Sequence, residues 1–205
     1  MTDMHITKLT GKLDGFRSLS SNTTTNPFCI KMNATTKDNI ICKECYSMSM
    51  LKGFRKNAAP ALQRNNDLLA SRILEPHEIP TILDRFFRIH AHGEILNLTH
   101  AINILNLVKA NPFTTFGWWT KRKDIINKLF SSSHGGFGFK KPSNLIMIYS
   151  NPKIDDVIHT PPKWFDKTFN NVTRHPAENC TGQQCKNCLV CYTYNNTNTI
   201  IEKVK

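Results

Sequence analysis

Acidic residues are scarce in this chain: 15 Asp and Glu stand against 27 Lys and Arg, leaving a formal charge of +12 over 205 residues. That surplus favours a polyanion such as nucleic acid as partner, because clustered Lys and Arg release counterions from phosphate. The basic residues are nevertheless scattered along the chain and not gathered in one arm, the pattern of a solvated surface. Long apolar runs are missing too. No stretch reaches the roughly 18 consecutive apolar residues of a membrane span, and Met1-Thr2-Asp3-Met4-His5 lacks the basic region and apolar run of a secretion signal. A cytoplasmic protein without membrane contact is expected. There is no Walker-type or dinucleotide glycine loop and no recognisable Ser, His and Asp hydrolase signature, which argues against nucleoside-triphosphate, dinucleotide and serine-hydrolase chemistry.

What the chain does have is cysteine in two tight groups. Cys29, Cys42 and Cys45 lie near the front, and Cys180, Cys185, Cys188 and Cys191 near the back. In a reducing compartment these stay thiols, and an odd count of 7 cannot all pair as internal disulfides. Thiolates are soft ligands for zinc or iron, and two-residue spacers let neighbouring sulfurs converge while the backbone turns around them. The back group, Cys180-x4-Cys185-x2-Cys188-x2-Cys191, offers four ligands with Gly182 easing the first turn. Structural zinc usually takes two C-x2-C knuckles held apart, whereas consecutive two-residue spacers resemble ferredoxin spacing, so a 4Fe-4S cluster is expected and zinc is the alternative. The front group supplies three sulfurs. It either holds a cluster with one open iron, which a substrate or cofactor can occupy, or takes a fourth ligand from His90, His92 or the back group. One cluster or two is therefore open at this point.

Between the cysteines, apolar periodicity gives a helix over 58–74, a strand over 86–90, a helix over 98–110, an aromatic strand over 113–120, a helix over 124–130 and a strand over 145–149. Residues 1–28 read as a short strand or extended lead-in ending in the polar string Ser18 to Asn26, residues 29–45 as polar loop, and the glycine-rich stretch 131–138 as a mobile loop. Alternation of strands and helices predicts parallel strands with right-handed crossovers, hence an α/β fold, either a partial parallel barrel or an open sheet, with a cysteine-rich C-terminal metal-binding knob. The expected organisation is an α/β domain over 1–175 that carries the cysteine loop 29–46, and a metal-binding segment over 176–205 packed on it.

Arg88-Ile89-His90-Ala91-His92-Gly93-Glu94 leaves a strand with two histidines on the same side, a glycine that permits close backbone approach, and a carboxylate able to accept from an amine or ribose. Strand ends are where α/β folds hold ligands, so His90, His92, Gly93 and Glu94 are the candidate cofactor-binding residues. Trp118 and Trp119 are core by default; beside Lys121 and Arg122 they alternatively offer a stacking surface for a base or nucleoside.

Four segments together, Cys42-x2-Cys45-Tyr46, Phe87 to Glu94, Phe116-Gly117-Trp118-Trp119-Thr120-Lys121 and Cys185-x2-Cys188-x2-Cys191-Tyr192, resemble the phage gene product 88 family across most of the chain. The resemblance implies a phage protein working in the cytoplasm of an infected cell, and names relatives more than chemistry. Glu94 stands where that family has Asp, and His92 where it has a small polar residue. The layout also looks like a reduced radical S-adenosylmethionine (SAM) enzyme, although Cys29-x12-Cys42-x2-Cys45 departs from the C-x3-C-x2-C spacing of that superfamily. The leading expectation is an iron-sulfur protein of phage type in redox or radical chemistry, with S-adenosylmethionine as a further cofactor. The alternative is a basic nucleic-acid-binding module with a structural metal. No substrate is legible.

Overall fold

The computed structural model describes residues 4–133 and 135–204, so His134 of the glycine-rich loop, the first three residues of the lead-in and Lys205 lie outside it. Seven strands, β1 (Ile6–Lys8), β2 (Arg17–Leu19), β3 (Phe86–Ile89), β4 (Thr115–Thr120), β5 (Leu145–Ile154), β6 (Lys167–Val172) and β7 (Thr199–Lys203), form one sheet in that order. β1 pairs antiparallel with β2, and every later neighbour pairs parallel. The fold is thus an α/β open sheet with edges at β1 and β7. Right-handed crossovers send the helical connections between β2 and β5 to one face of the sheet, whereas the β6–β7 connection, which carries the back cysteines and Tyr192, crosses the other.

That face is apolar on alternate residues, as a half-buried strand requires. Phe87 and Ile89, Phe116 and Trp118, and Leu145 and Met147 pack with Leu69 of α3 (Ala59–Ser71), Ile104 and Val108 of α4 (Leu98–Ala110), and Ile126 and Leu129 of α5 (Lys123–Phe130). The opposite face is covered by chain ends. Leu9, Phe16, Trp119, Ile146 and Ile148 form a second cluster closed by Tyr192, with Cys185 and Cys191 packed against it. Trp118 and Trp119 both belong to the core, at 0% and 7% exposure, so neither is free to stack on a base.

Register explains how Tyr192 enters. Arg88 of β3 lies opposite Gly117 of β4, which lies opposite Ile146 of β5. A Cβ on Gly117 would come within 2.8 Å of the Trp119 ring and 3.0 Å of the Tyr192 ring, so the missing side chain is the space those rings fill. The Tyr192 ring then packs on Phe16 with centroids 4.5 Å apart and on Trp119 at 5.4 Å.

Four elements, two helices and the strands β6 and β7, depart from the sequence reading. Residues 29–45 are not simply loop, because Pro27–Asn33 forms α1: Pro27 suits the first turn, and the Asn26 side chain accepts from the backbone N–H groups of Phe28 and Cys29. Tyr46–Lys52 forms α2 directly after the third front cysteine. The strands β6 and β7 were not expected, and β7 carries residues that follow the back cysteines into the sheet. Segment 131–138 contains neither helix nor strand among its described residues.

Gly117→Ala is expected to push Trp119 and Tyr192 apart and cost about 1–3 kcal/mol, the usual penalty of overpacking. Urea unfolding followed by tryptophan fluorescence measures it, and an unchanged midpoint would contradict this packing.

Candidate functional site

The carboxyl ends of β2, β3 and β4 meet in a buried polar knot. β3 ends at Ile89, and His90 takes φ +61°, a left-handed turn that sends the chain out of the sheet. Gly93 has φ +74°, and a Cβ there would lie 2.1 Å from Ser21 Oγ and 2.4 Å from Ser21 O. Only glycine allows this approach. The Ser21 amide donates to His92 O at 3.1 Å, and Ser21 Oγ donates to Glu94 O at 3.0 Å.

Glu94, 4% exposed, is fastened across the strand ends. Its Oε1 accepts from Ile95 N (2.8 Å) and Thr120 Oγ1 (2.6 Å), and its Oε2 accepts from Lys121 N (2.7 Å). The Lys121 ammonium reaches Ser150 Oγ of β5 at 3.0 Å. The side chain of Asn26, the residue that caps α1, donates to Glu94 O at 2.7 Å. One residue therefore ties the helix bearing Cys29 to the strand end bearing Glu94.

Around this knot stand the front cysteines. Glu94, Lys121, Cys45 and Cys42 are the leading electrostatic neighbours of Cys29, and Lys121, Cys45 and Glu94 those of Cys42. Burial pushes the thiols of Cys29 and Cys42 up, with the Lys121 ammonium pulling the other way. The loop between α1 and α2 is held in place: Asn33 Nδ2 donates to the carbonyls of Cys42 (2.8 Å) and Lys43 (3.0 Å), and Ile154 N of β5 donates to Asn39 O at 2.7 Å.

The two histidines separate. His90 is buried toward α4, where its Nδ1 accepts from Trp118 Nε1 at 3.2 Å and its ring meets the edge of His100. His92 turns to the front loop instead, with Nδ1 3.1 Å from Ser47 Oγ, itself 2.6 Å from Thr23 Oγ1. The strand alternation that would put both on one side ends at Ile89, because the left-handed His90 breaks it.

The back cysteines form a second neighbourhood. Cys180, Cys185 and Cys188 are electrostatic neighbours of Cys191, whose thiol burial pushes up to about 12. Burial likewise raises Cys180 and Cys185. Lys12 Nζ lies 3.7 Å from Cys180 Sγ, and Gln183 Nε2 lies 3.8 Å from Cys188 Sγ. No back cysteine is among the leading neighbours of Cys29 or Cys42, and no front cysteine among those of Cys180, Cys185 or Cys191. All seven cysteines are free and half-buried. Among the described residues, no three His, Cys, Asp or Glu side chains stand in a geometry that holds a metal ion. No described helix is long and apolar enough to cross a membrane.

Both sets nonetheless have the chemistry of a soft-metal site: reduced sulfur donors, partly shielded from water, with hydrogen-bond donors or cations beside them. At the back set, Arg88 Nε and Trp119 Nε1 are buried with no hydrogen-bond partner, so polar groups are left over where the cysteines pack. Arg88, Tyr192, Asn26, Ser21 and Lys121 were not singled out as site residues in the sequence. Lys121, Arg88 and Tyr192 lie inside motifs that the sequence shows, and the positive φ of Gly93 is the feature that ties Ser21 to the site.

Burial lowers His90, His100 and His92, the last to about 4, so the folded state holds them neutral while the unfolded chain charges them near pH 6.5. The unfolded state then binds more protons, and stability falls as pH drops below about 6.5, by at most about 1.4 kcal/mol per pH unit for each histidine. His100→Gln is expected to make the decline between pH 6.5 and 5 shallower, as measured by urea midpoints at each pH. An identical slope would show that His100 is not held neutral.

No protein-family model, curated protein or solved structure matches the chain.

Proposed function

We propose that this chain is an iron-sulfur protein whose two cysteine sets serve two separate sites, the front one at the carboxyl ends of the parallel strands. The observation that carries the reading is that Cys29 and Cys42, separated by a 12-residue spacer, share Glu94, Lys121 and Cys45 as electrostatic neighbours. Carboxyl ends of parallel strands are where α/β folds hold ligands. The separate electrostatic neighbourhoods of the front and back cysteines support two sites over one shared cluster. The choice of iron-sulfur over zinc rests on the consecutive two-residue spacers of Cys185, Cys188 and Cys191.

In this reading Cys180, Cys185, Cys188 and Cys191 would hold one 4Fe-4S cluster, and Cys29, Cys42 and Cys45 would hold another with only three protein sulfurs, leaving room for a small molecule. Iron-sulfur chemistry supplies one-electron transfer or, with S-adenosylmethionine bound, radical initiation. The chain's own residues do the positioning. Glu94 fixes the ends of β3 and β4 and carries an acceptor oxygen, Oε2, on the side of Lys121. Lys121, anchored on Ser150, offers the ammonium that a substrate carboxylate or phosphate would meet. Gly93 lets the backbone of Ser21 close against the strand end and shut water out of the knot. A phage-encoded, redox or radical SAM-like enzyme is the activity this arrangement serves best. The nucleic-acid alternative loses its stacking surface, because Trp118 and Trp119 are core.

Protein purified without oxygen is expected to be brown, with iron and sulfide in equal amounts. Cys188→Ala and Cys45→Ala are each expected to lower the iron content by about one cluster, roughly four irons. S-adenosylmethionine is expected to alter the electron paramagnetic resonance signal that Cys188→Ala retains and Cys45→Ala loses. Colourless protein with one or two zinc ions and no iron would overturn the reading.

A further inference from the structure

The inner face of the sheet carries a cation that the fold leaves unmatched. Arg88 points from the middle of β3 to the face opposite the helices, its guanidinium carbon 3.8 Å from the centre of the Trp119 ring. Its Nε is buried and unpartnered, as is Trp119 Nε1 on the same face, and the Tyr192 hydroxyl lies close enough to the guanidinium to interact with it. No ion pair involving Arg88 occurs among the described residues. A half-buried guanidinium with an orphaned donor is costly unless an anion faces it. It neighbours Cys185, Cys191 and Tyr192, all on the segment that closes this face, and, along its own strand, His90 and His92, which burial holds neutral.

The other charges near the two cysteine sets can be compared. At the back, Lys12 lies against Cys180, but it also pairs with Glu202, so that charge is largely cancelled. Lys167, buried at the start of β6 and also a neighbour of Cys191, donates to the neutral Asn195 Oδ1 (2.9 Å) and Thr197 O (2.7 Å). The adjacent Asp166 pairs with Lys141. Two cations, Arg88 and Lys167, are thus uncancelled. At the front, the Lys121 ammonium bonds to Ser150 and makes no ion pair among the described residues, but its pull on Cys29 and Cys42 is opposed by the buried carboxylate of Glu94. The back site is the more electropositive.

We propose that Arg88 is the built-in counter-cation of the back cysteine site, and that it gives a cluster held there a higher reduction potential than one held at the front. The inference rests on the iron-sulfur reading and deepens it. Adding one electron to a cluster adds one negative charge; a fixed cation beside the thiolates stabilises that state, and a carboxylate beside them opposes it. Electrons given to the front site would then settle at the back. Stacking on Trp119 holds the guanidinium in place without cancelling its charge, which makes Arg88 a positioning residue with no contact to substrate.

The test is a potentiometric titration of the anaerobically purified full chain with dithionite, followed by electron paramagnetic resonance. Two one-electron transitions are expected, and the one at higher potential should be that missing from Cys188→Ala. Arg88→Gln should shift the reduction equilibrium of that transition about tenfold, about 59 mV downward for one electron, and leave the front transition in place. Arg88→Lys, which keeps the charge, should recover most of the shift. If Cys188→Ala instead removes the lower-potential transition, or if iron-replete Arg88→Gln titrates like the unsubstituted protein, this proposal fails while the iron-sulfur reading stands. Should Arg88→Gln fail to fold, Arg88→Met, which keeps an apolar stem against the Trp119 ring and removes the charge, is expected to give the same downward shift, and an unshifted transition there overturns the proposal equally. Protein that purifies without iron would overturn both.

Discussion

The buried carboxylate of Glu94 is the fastening on which the candidate front site depends. It spans the gap between two parallel strands just past their last ladder bonds, where backbone donors would otherwise be orphaned, and takes the amides of Ile95 and Lys121 and the hydroxyl of Thr120. A charged acceptor makes each of these bonds stronger than a neutral one would be. The backbone carbonyl of the same residue accepts from Ser21 and Asn26. Asn26 in turn caps the helix that carries Cys29, and Ser21 sits in the space that Gly93 vacates. Losing Glu94 would therefore leave several buried donors unpaired at once, a larger loss than any single hydrogen bond represents. The position of Cys29 follows from this network, since α1 is only seven residues long and buries no side chain of its own.

The back of the molecule depends on a different device. The sheet has one face covered by helices, and covering the other falls to the segments around Phe16 and Tyr192, which come from opposite ends of the chain. Gly117 makes a dimple in β4, and the Tyr192 ring is the plug. That plug directly follows Cys191, so the covalent neighbour of a thiol is locked into the core while Cys180 and Cys188 remain nearer the surface. The strand β7 then joins the sheet beside β6, and the amides of Asn179 and Cys180 donate to Ile201 O on it. The cysteine segment is thereby held at both ends by sheet and core, with no long helix of its own.

Much of the helix-covered face was legible in the sequence because it follows simple periods. The 3.6 period of residues 98–110 and the compact apolar run at 145–149 each produce the expected element, and the alternation of types implies the parallel sheet. The polar string Ser18 to Asn26 misled. Ser18, Ser20, Ser21, Asn22, Thr23 and Asn26 are all 3% exposed or less, since their side chains replace a ladder that the strand end has lost, bonding to Gln63, Ser47, Glu94 and each other. Polarity alone reads as exposure, and nothing local in the sequence reveals partners more than 20 residues away. Strand β6 escaped for a related reason, since Thr168 and Asn170 are buried polar residues, the first satisfied by the carbonyls of Ile158 and Asn198 and the second by Ile200 O of β7. His90 and His92 were legible as a site but not as diverging, because a left-handed histidine at a strand end depends on the tertiary bonds that hold it.

The seven thiols link these two halves to a single physical problem. Burial favours the protonated thiol at Cys29, Cys42, Cys180, Cys185 and Cys191, yet a metal takes only the thiolate, so loading either set must expel protons from a partly dry site. A chain that had to order its ligands at the same moment would meet that cost on top of the backbone entropy. Here the ordering is done beforehand. Asn26 and Asn33 fix the front loop, and Tyr192 and β7 fix the back segment. In the proposed reading, what would remain for a metal is the exchange of protons for metal, with the Arg88 cation at the back in place to offset the negative charge, while at the front Lys121 is opposed by Glu94.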